Sequence, residues 1–309
     1  MAATTSLLSL LFSTTTSVES VATMTPSVRV IPQSKLHVSE PNPQWFGNGP
    51  NPTTDPSWTH SNWLQSRFHF SFAEYHNPAN TNFGVLRVMN DDLVQPHRGF
   101  GTHPHANMEI LTYVVQGQLT HADSMGTRES LGRGSMQFMT AGSGIRHSEA
   151  NEGDVPLRFI QTWIVPSEQN LEPKYGSFRG DPTVCTTNQW HHLVSNAADS
   201  SVTTTPVQVN QDVDVFAAEL DSLGTTLVHN LPAHRQAYLL CIEGSVTVNG
   251  HALTRHDACE ITGAEEGGRL EIQATATEPT EHGEVAHVLL FTMKSVPGAG
   301  RTDLLPSNE

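Results

Sequence analysis

The feature that most constrains the fold is a series of short apolar segments separated by turn sequences. Between residues 109 and 165 these segments end at Gln116-Gly117, at Asp123–Gly126 and at Ala141–Gly144, and such Gly- and Asp-containing sequences favour turns. Short strands at this spacing are typical of a β-barrel or sandwich. Charged residues make up only 15% of the chain, with 23 Gly and 19 Pro, which favours an all-β fold over a helical bundle.

Two pairs of candidate metal ligands lie within residues 101–149. His103 and His105 are separated by one residue, and so are His147 and Glu149. On a β-strand, residues two apart point to the same face, so each pair would face one way. A lone His-x-His pattern is usually two polar residues on an exposed strand. The matching His-x-Glu pattern favours a site with three imidazoles and a carboxylate, which suits a divalent transition metal such as iron, nickel, manganese or zinc.

The length of 309 residues allows two domains. We predict an N-terminal metal-binding barrel over 28–180, a connection over 181–206 and a C-terminal barrel over 207–297. Residues 1–27, read as a disordered or targeting extension, and the polar tail 298–309 are left outside the fold.

The second half contains a weaker copy of the first. Tyr238–Gly250 is similar to Tyr113–Thr120 and adds an Asn249-Gly250 hairpin sequence. When Gly117 is aligned with Gly244, Asn230 and Pro232 correspond in sequence to His103 and His105. The second barrel is therefore predicted to be degenerate and without a metal. Its remaining histidines are expected to be surface or structural residues: His229, His234, His251 and His256.

Two shorter predictions concern the region before the ligands. The alternating pattern predicts strands over 67–72 and 83–89, and Asn90-Asp91-Asp92 has the composition of a turn. Residues 28–36 are expected to form a first edge strand.

Composition excludes several classes of protein. The formal net charge is −15 and no basic run is present, which argues against direct nucleic-acid binding. No apolar stretch approaches the roughly 18 residues of a membrane span. The three cysteines, Cys185, Cys241 and Cys259, form no paired pattern, which is typical of a reducing compartment, and Cys241 is expected to be a buried thiol. We expect an intracellular protein, cytoplasmic or nuclear, with organelle import through the Ser/Thr-rich N-terminal extension as the alternative.

Several long motifs resemble the pirin family of the cupin superfamily, in particular its bacterial quercetinase-like branch. These motifs are Phe68–Phe72, Asn82–Met89, Gly99–His105, Met108–Tyr113, Met139–Glu149 and Gln161–Val165. The resemblance implies a bicupin with two jelly-roll β-barrels face to face and short helices at most. It also implies one mononuclear metal on His103, His105, His147 and Glu149, with iron as the first expectation and nickel, manganese, zinc and copper as alternatives.

The resemblance also implies an activity. Some pirins open the ring of flavonols such as quercetin with O2, releasing carbon monoxide, and others are transcriptional cofactors. We expect a quercetin 2,3-dioxygenase-like oxidoreductase, monomeric, with Glu149 as catalytic base. The alternative is a metal-dependent, redox-sensing regulator that binds a protein partner without turnover. Five apolar residues near the ligands are candidates to line a pocket, although the sequence favours barrel core for each: Phe100, Met108, Ile110, Phe138 and Met139.

Overall fold

The computed structural model describes residues 25–49, 63–180, 187–199, 205–280 and 283–295. Within these ranges the helical elements are two 3-10 turns, Gln33–Lys35 and Pro43–Phe46, and the rest of the regular structure is β. The prediction of an all-β fold with short helices at most is therefore confirmed.

The first half of the chain contributes twelve of the described strands. These are β1 (Ser27–Ile31), β2 (His37–Ser39), β3 (Leu64–Phe68), β4 (Leu86–Val94), β5 (Arg98–His105), β6 (Glu109–Gln116), β7 (Leu119–Asp123), β8 (Arg128–Leu131), β9 (Met136–Thr140), β10 (Ile145–Asn151), β11 (Leu157–Ile164) and β12 (Lys174–Phe178). A seven-stranded sheet in the order β12-β9-β6-β11-β4-β3-β2 faces a four-stranded sheet in the order β5-β10-β7-β8.

The second half repeats this construction. Its strands are β13 (His191–Asn196), β14 (Val207–Val209), β15 (Val213–Leu220), β16 (Thr226–Leu231), β17 (Arg235–Glu243), β18 (Ser245–Val248), β19 (His251–Thr254), β20 (Ala258–Thr262), β21 (Gly268–Ala276), β22 (Glu278–Thr280) and β23 (Gly283–Lys294). The large sheet runs β1-β20-β17-β23-β15-β13-β14, with β22 beside β23, and the small one runs β16-β21-β18-β19. Asn249 and Gly250 join β18 to β19 with φ angles of 47° and 82°, as expected for a tight hairpin.

The two large sheets pack against each other. Their shared core contains Leu86, Met89 and Leu111 from the first half together with Leu240 and Phe291 from the second. Each half also has its own apolar interior. The two barrels are therefore face to face and joined by one hydrophobic core, whose burial is the main favourable term in their association.

Two buried ion-pair clusters cross this interface. Arg158 donates to Asp91 at 2.7 and 2.8 Å and to the carbonyl of Ile242 at 2.8 Å. His256 lies 2.6 Å from the same Asp91 carboxylate, so this histidine is structural, as predicted. The second cluster joins Arg133 to two glutamates of the second barrel.

The structure differs from the sequence-based predictions at four points. The strands predicted over 67–72 and 83–89 are observed as Leu64–Phe68 and Leu86–Val94. Strand β1 is an edge strand, but it pairs with β20 and so belongs to the sheet of the second half. Residues 191–196, predicted to be part of a connection, form β13 because Leu193 and Val194 are buried in the shared core. Asn90–Asp92 is not a turn but lies in the middle of β4, where all three polar side chains are buried.

The burial of two cysteines bears on one further prediction. Cys241 and Cys259 are fully buried, and burial raises the pKa of both thiols above the ordinary value. Cys185, like residues 1–24 and 296–309, lies outside the described residues. No helix in the described part of the chain is long and apolar enough to cross a membrane.

Candidate metal centre

Three of the four predicted ligands converge between β5 and β10. These strands are antiparallel, with His147 directly opposite His103 and Ile145 opposite His105. The ring centroids of His103 and His147 are 4.5 Å apart, and that of His105 is 4.8 Å and 4.9 Å from them. One ring nitrogen from each imidazole lies within 4.8 Å of the other two. The two-residue spacing thus places His103 and His105 together, and the pairing of β10 with β5 brings His147 to them.

The fourth predicted ligand, Glu149, follows a β-bulge. The register between β10 and β5 shifts between His147 and Glu149, and bulges commonly redirect a side chain beside an active site. A Cβ on Gly99 would lie 2.5 Å from the backbone oxygen of Glu149, so the close approach of the two strands here requires glycine. Glu149 forms a second ligand group with His147 and His121, and His147 is therefore common to both groups.

Three hydrogen-bond donors fix the carboxylate of Glu149. Its Oε1 accepts from Gln137 at 2.5 Å and from Thr112 at 3.2 Å, and its Oε2 accepts from Gln161 at 2.7 Å. Gln161 in turn accepts from the indole N–H of Trp163 at 3.2 Å. Such an outer shell of donors is what orients a ligating carboxylate.

The protonation of the histidines suits a metal. Nδ1 of His103 lies 2.7 Å from the carbonyl of Gly101. This contact places the proton on Nδ1 and leaves Nε2 unprotonated and able to bind a metal. Both ring nitrogens of His147 are buried without a hydrogen-bond partner. Burial, together with the neighbouring imidazoles, lowers the pKa of His105 and of His147 to about 3. Neutral imidazole is the form that binds metal, so the residues present fit a divalent cation.

His121 is a residue of this site that the sequence did not single out. It pairs opposite Glu149 across β7 and β10, stacks on Tyr175 with ring centroids 4.3 Å apart, and its buried Nδ1 has no partner. The sequence shows only one histidine in an ordinary strand segment, Leu119–Asp123. The pairing of β7 with β10, which no local pattern predicts, brings it to the site.

A cavity of about 240 Å³ opens beside the histidines. His103, His105, Glu149 and Gln161 form one wall. Six aromatic residues also line the cavity: Trp45, Phe46, Phe68, Phe72, Phe100 and Trp163. Of the five pocket candidates, Phe100 lines the cavity. Met108, Ile110 and Met139 pack in a small core cluster of their own, and Phe138 packs on the core between the barrels.

Two adjacent carboxyl groups on β4 have opposite environments. Burial would raise the pKa of Asp91, but the Arg158 guanidinium outweighs it and holds that pKa well below the ordinary value. Asp92 points to the other face and lines the cavity, where burial raises its pKa to about 8. The cavity thus contains a buried carboxyl group that is largely protonated at neutral pH.

Comparison with known proteins gives the family. Residues 52–164 match the pirin family model, and residues 193–293 match the model of the quercetinase C-terminal cupin domain. A quercetin 2,3-dioxygenase of Escherichia coli K12 is 40% identical over 202 residues, which is 64% of this chain and 83% of that relative. The chain belongs to the pirin family. The family resemblance noted in the sequence is therefore confirmed.

Further relatives and solved structures agree with this membership. A pirin-like protein of Caulobacter vibrioides is 39% identical over 199 residues, covering 64% of this chain and 84% of the relative. The crystal structure of YhhW from E. coli has a TM-score of 0.69 at 30% identity, covering 87% of this chain and 99% of that one. The same bacterial pirin in complex with nickel(II) has the same score and identity, over 87% and 100% of the two chains.

Proposed function

We propose that this pirin is a metal-dependent dioxygenase that opens flavonols of the quercetin type with O2. The observation that carries the proposal is the cluster of His103, His105 and His147, in which His103 and His105 line a cavity together with aromatic side chains. Support also comes from relatives named quercetin 2,3-dioxygenase. Other relatives are named putative quercetin 2,3-dioxygenases.

The proposed metal ligands are His103, His105, His147 and Glu149. A set of three nitrogens and one oxygen suits iron, our first expectation, and equally nickel, manganese, zinc or copper. The nickel-bound bacterial pirin supports the presence of a single metal. When bound, the metal would act as a Lewis acid on a ligating hydroxyl and carbonyl and would lower the pKa of the hydroxyl.

The cavity walls would hold a flat substrate against the ligands. Trp163 packs edge-on against His105, with ring centroids 4.7 Å apart, and Phe72 packs edge-on against Trp163 at 5.3 Å. Phe100 contacts Trp63 and Phe46 in the same way. Rings held by their neighbours in this manner present a rigid apolar surface on which an aromatic ligand can stack, and they exclude water from the reacting atoms.

Glu149 is the proposed base for the substrate hydroxyl. The two oxygens are held by Gln137, Thr112 and Gln161, so the carboxylate is already oriented when the ligand arrives, and a fixed base contributes through position as well as proton affinity. The proton would pass from the ligand hydroxyl to a carboxylate oxygen of Glu149.

The test combines metal analysis with gas analysis. We would purify the protein without oxygen, measure its metal content, and follow O2 uptake and carbon monoxide release with quercetin. About one metal per chain and one carbon monoxide per O2 consumed are expected. Glu149→Ala should abolish turnover, whereas Glu152→Gln, a change at an exposed glutamate, should not.

Two outcomes would contradict parts of this proposal. Full activity of Glu149→Ala with metal retained would refute the role of Glu149 as base. Metal retention without turnover of any flavonol would refute the dioxygenase and would favour a regulatory pirin that is read by a protein partner.

A further inference from the structure

One polar row crosses the large sheet of the first barrel at the level of the metal centre. Gln137 lies opposite Thr112, Thr112 opposite Gln161, and Gln161 opposite Asn90, so four neighbouring strands each place one polar side chain in line. Side chains directly opposite in neighbouring strands share one face of a sheet. This row therefore points into the barrel interior.

Three side chains of the row hydrogen-bond to Glu149, and the fourth does not. Gln137, Thr112 and Gln161 donate to Glu149. Asn90 is 4% exposed and lines the cavity, and its side-chain oxygen has no hydrogen-bond partner. A buried carbonyl oxygen left without a donor is costly and rare, so its presence in a cavity wall points to a ligand donor.

The next pleat of the same wall carries two further polar side chains. Ser66 and Asp92 face each other across β3 and β4, and both line the cavity. Both side chains are buried, and the side chain of Ser66 hydrogen-bonds the carboxyl group of Asp92. No ion pair among the described residues involves Asp92, although its neighbour Asp91 is paired with Arg158. Three polar groups thus stand together among the aromatic side chains of the cavity.

We propose that Asn90, with Ser66 and Asp92 beside it, forms a subsite for the peripheral hydroxyl groups of a polyhydroxylated aromatic substrate. The subsite deepens the proposed function and rests on it for the substrate class. A ligand hydroxyl donates to the side-chain oxygen of Asn90, while the metal centre holds a different part of the ligand. The subsite selects flavonols that carry hydroxyl groups in addition to the 3-hydroxyl and 4-carbonyl groups that would bind the metal.

The test compares two flavonols under anaerobic conditions on nickel-loaded protein. Quercetin carries peripheral hydroxyls. The compound 3-hydroxyflavone has the same 3-hydroxyl and 4-carbonyl groups but no other hydroxyl group. Dissociation constants come from quenching of the fluorescence of Trp45 and Trp163, which line the cavity. Wild type should bind quercetin about 10-fold more tightly, the effect of about one hydrogen bond.

Asn90→Leu should bring this ratio close to one, because leucine has a similar shape and no acceptor. Phe68→Leu is the matched control, since Phe68 lies opposite Asn90 on β3 and also lines the cavity. It should weaken both ligands alike and leave the ratio unchanged. Asn90→Ala provides the same measurement if the leucine variant does not fold.

An unchanged ratio in the Asn90 variants, or an equal loss for both ligands, would overturn the subsite. This result is distinct from failure of the proposed function. Turnover of quercetin with an unchanged ratio refutes the subsite alone. Hydroxyl-dependent binding that Asn90→Leu removes, in a protein without turnover, refutes the dioxygenase and leaves the subsite standing.

Discussion

Replacing Arg133 by methionine should destabilise the protein strongly without altering the proposed metal ligands. The guanidinium donates to Glu219 at 2.6 Å, to both oxygens of Glu243 at 2.6 and 3.0 Å, and to the carbonyl of Val115 at 2.7 Å. All three charged side chains are nearly inaccessible to solvent. Methionine fills a similar volume but leaves two buried carboxylates without their cation.

The expected loss is about 3–5 kcal/mol, the range for removing one partner of a buried ion pair. Because Arg133 bridges two carboxylates, we expect the upper part of that range. Combining Arg133→Met with Glu219→Gln and Glu243→Gln should recover most of the loss, since neutral amides cost far less to bury than unpaired carboxylates. This recovery distinguishes charge burial from a simple packing defect.

The assay is equilibrium unfolding in urea, followed by tryptophan fluorescence and by near-UV circular dichroism. A shared core predicts one transition for both barrels, and coincident curves would license a single free energy of unfolding. Burial would raise the pKa of Glu243, but His287 and Arg133 outweigh it and lower that pKa below its ordinary value. The resulting stabilisation is complete above the unfolded carboxyl pKa of about 4.3 and is lost as the pH falls below it.

The difference in free energy of unfolding between wild type and Arg133→Met should therefore narrow as the pH falls below about 4.3. A loss in free energy of unfolding below about 1 kcal/mol at pH 7 would show that the buried cluster stabilises the protein no more than a surface ion pair does. That result would refute the reasoning. A loss that does not change with pH would do the same.

The remaining predictions concern the metal centre. His147→Ala should leave the purified protein with little metal by elemental analysis, because His147 is the residue common to both ligand groups; an unchanged metal content would place the metal elsewhere. Gln161→Leu removes one of the three donors to Glu149 and should lower kcat about 10- to 100-fold with metal retained, as outer-shell changes do. A wild-type kcat of Gln161→Leu in steady-state kinetics would show that the hydrogen bond from Gln161 to Glu149 is dispensable for turnover.

The sequence predicted the architecture and the histidine cluster because both follow from local patterns. Alternation and turn residues define the strands, and a spacing of two places His103 beside His105 on one face. The sequence failed where a local pattern is overridden by tertiary contacts. Asn90-Asp91-Asp92 has turn composition, yet it continues a strand because Arg158, distant in the chain, neutralises the middle residue.

Residues contributed by non-local pairing were also beyond local patterns. His121 reaches the site only through the pairing of β7 with β10. Strand β1 joins the sheet of the second half because Val28 and Val30 pack on the interior of that barrel. In each case the side chain is ordinary for a strand, and only the partner strand gives it a role.

The positions of the second barrel that correspond to the polar row of the first barrel carry apolar side chains. Aligning Gly117 with Gly244 matches Thr112 with Leu239, and the strand register then extends the match to the whole row. Its equivalents in the second barrel are Cys259, Leu239, Leu290 and Phe216.

Each of the four equivalents is apolar and belongs to, or packs on, the core inside that barrel. The first barrel uses this row to hold a carboxylate and to line a cavity, whereas the second fills the same space with hydrocarbon. Replacing Asn230 and Pro232 by histidines alone should therefore create no metal site of the kind proposed for the first barrel, because no donor in this row would orient a carboxylate.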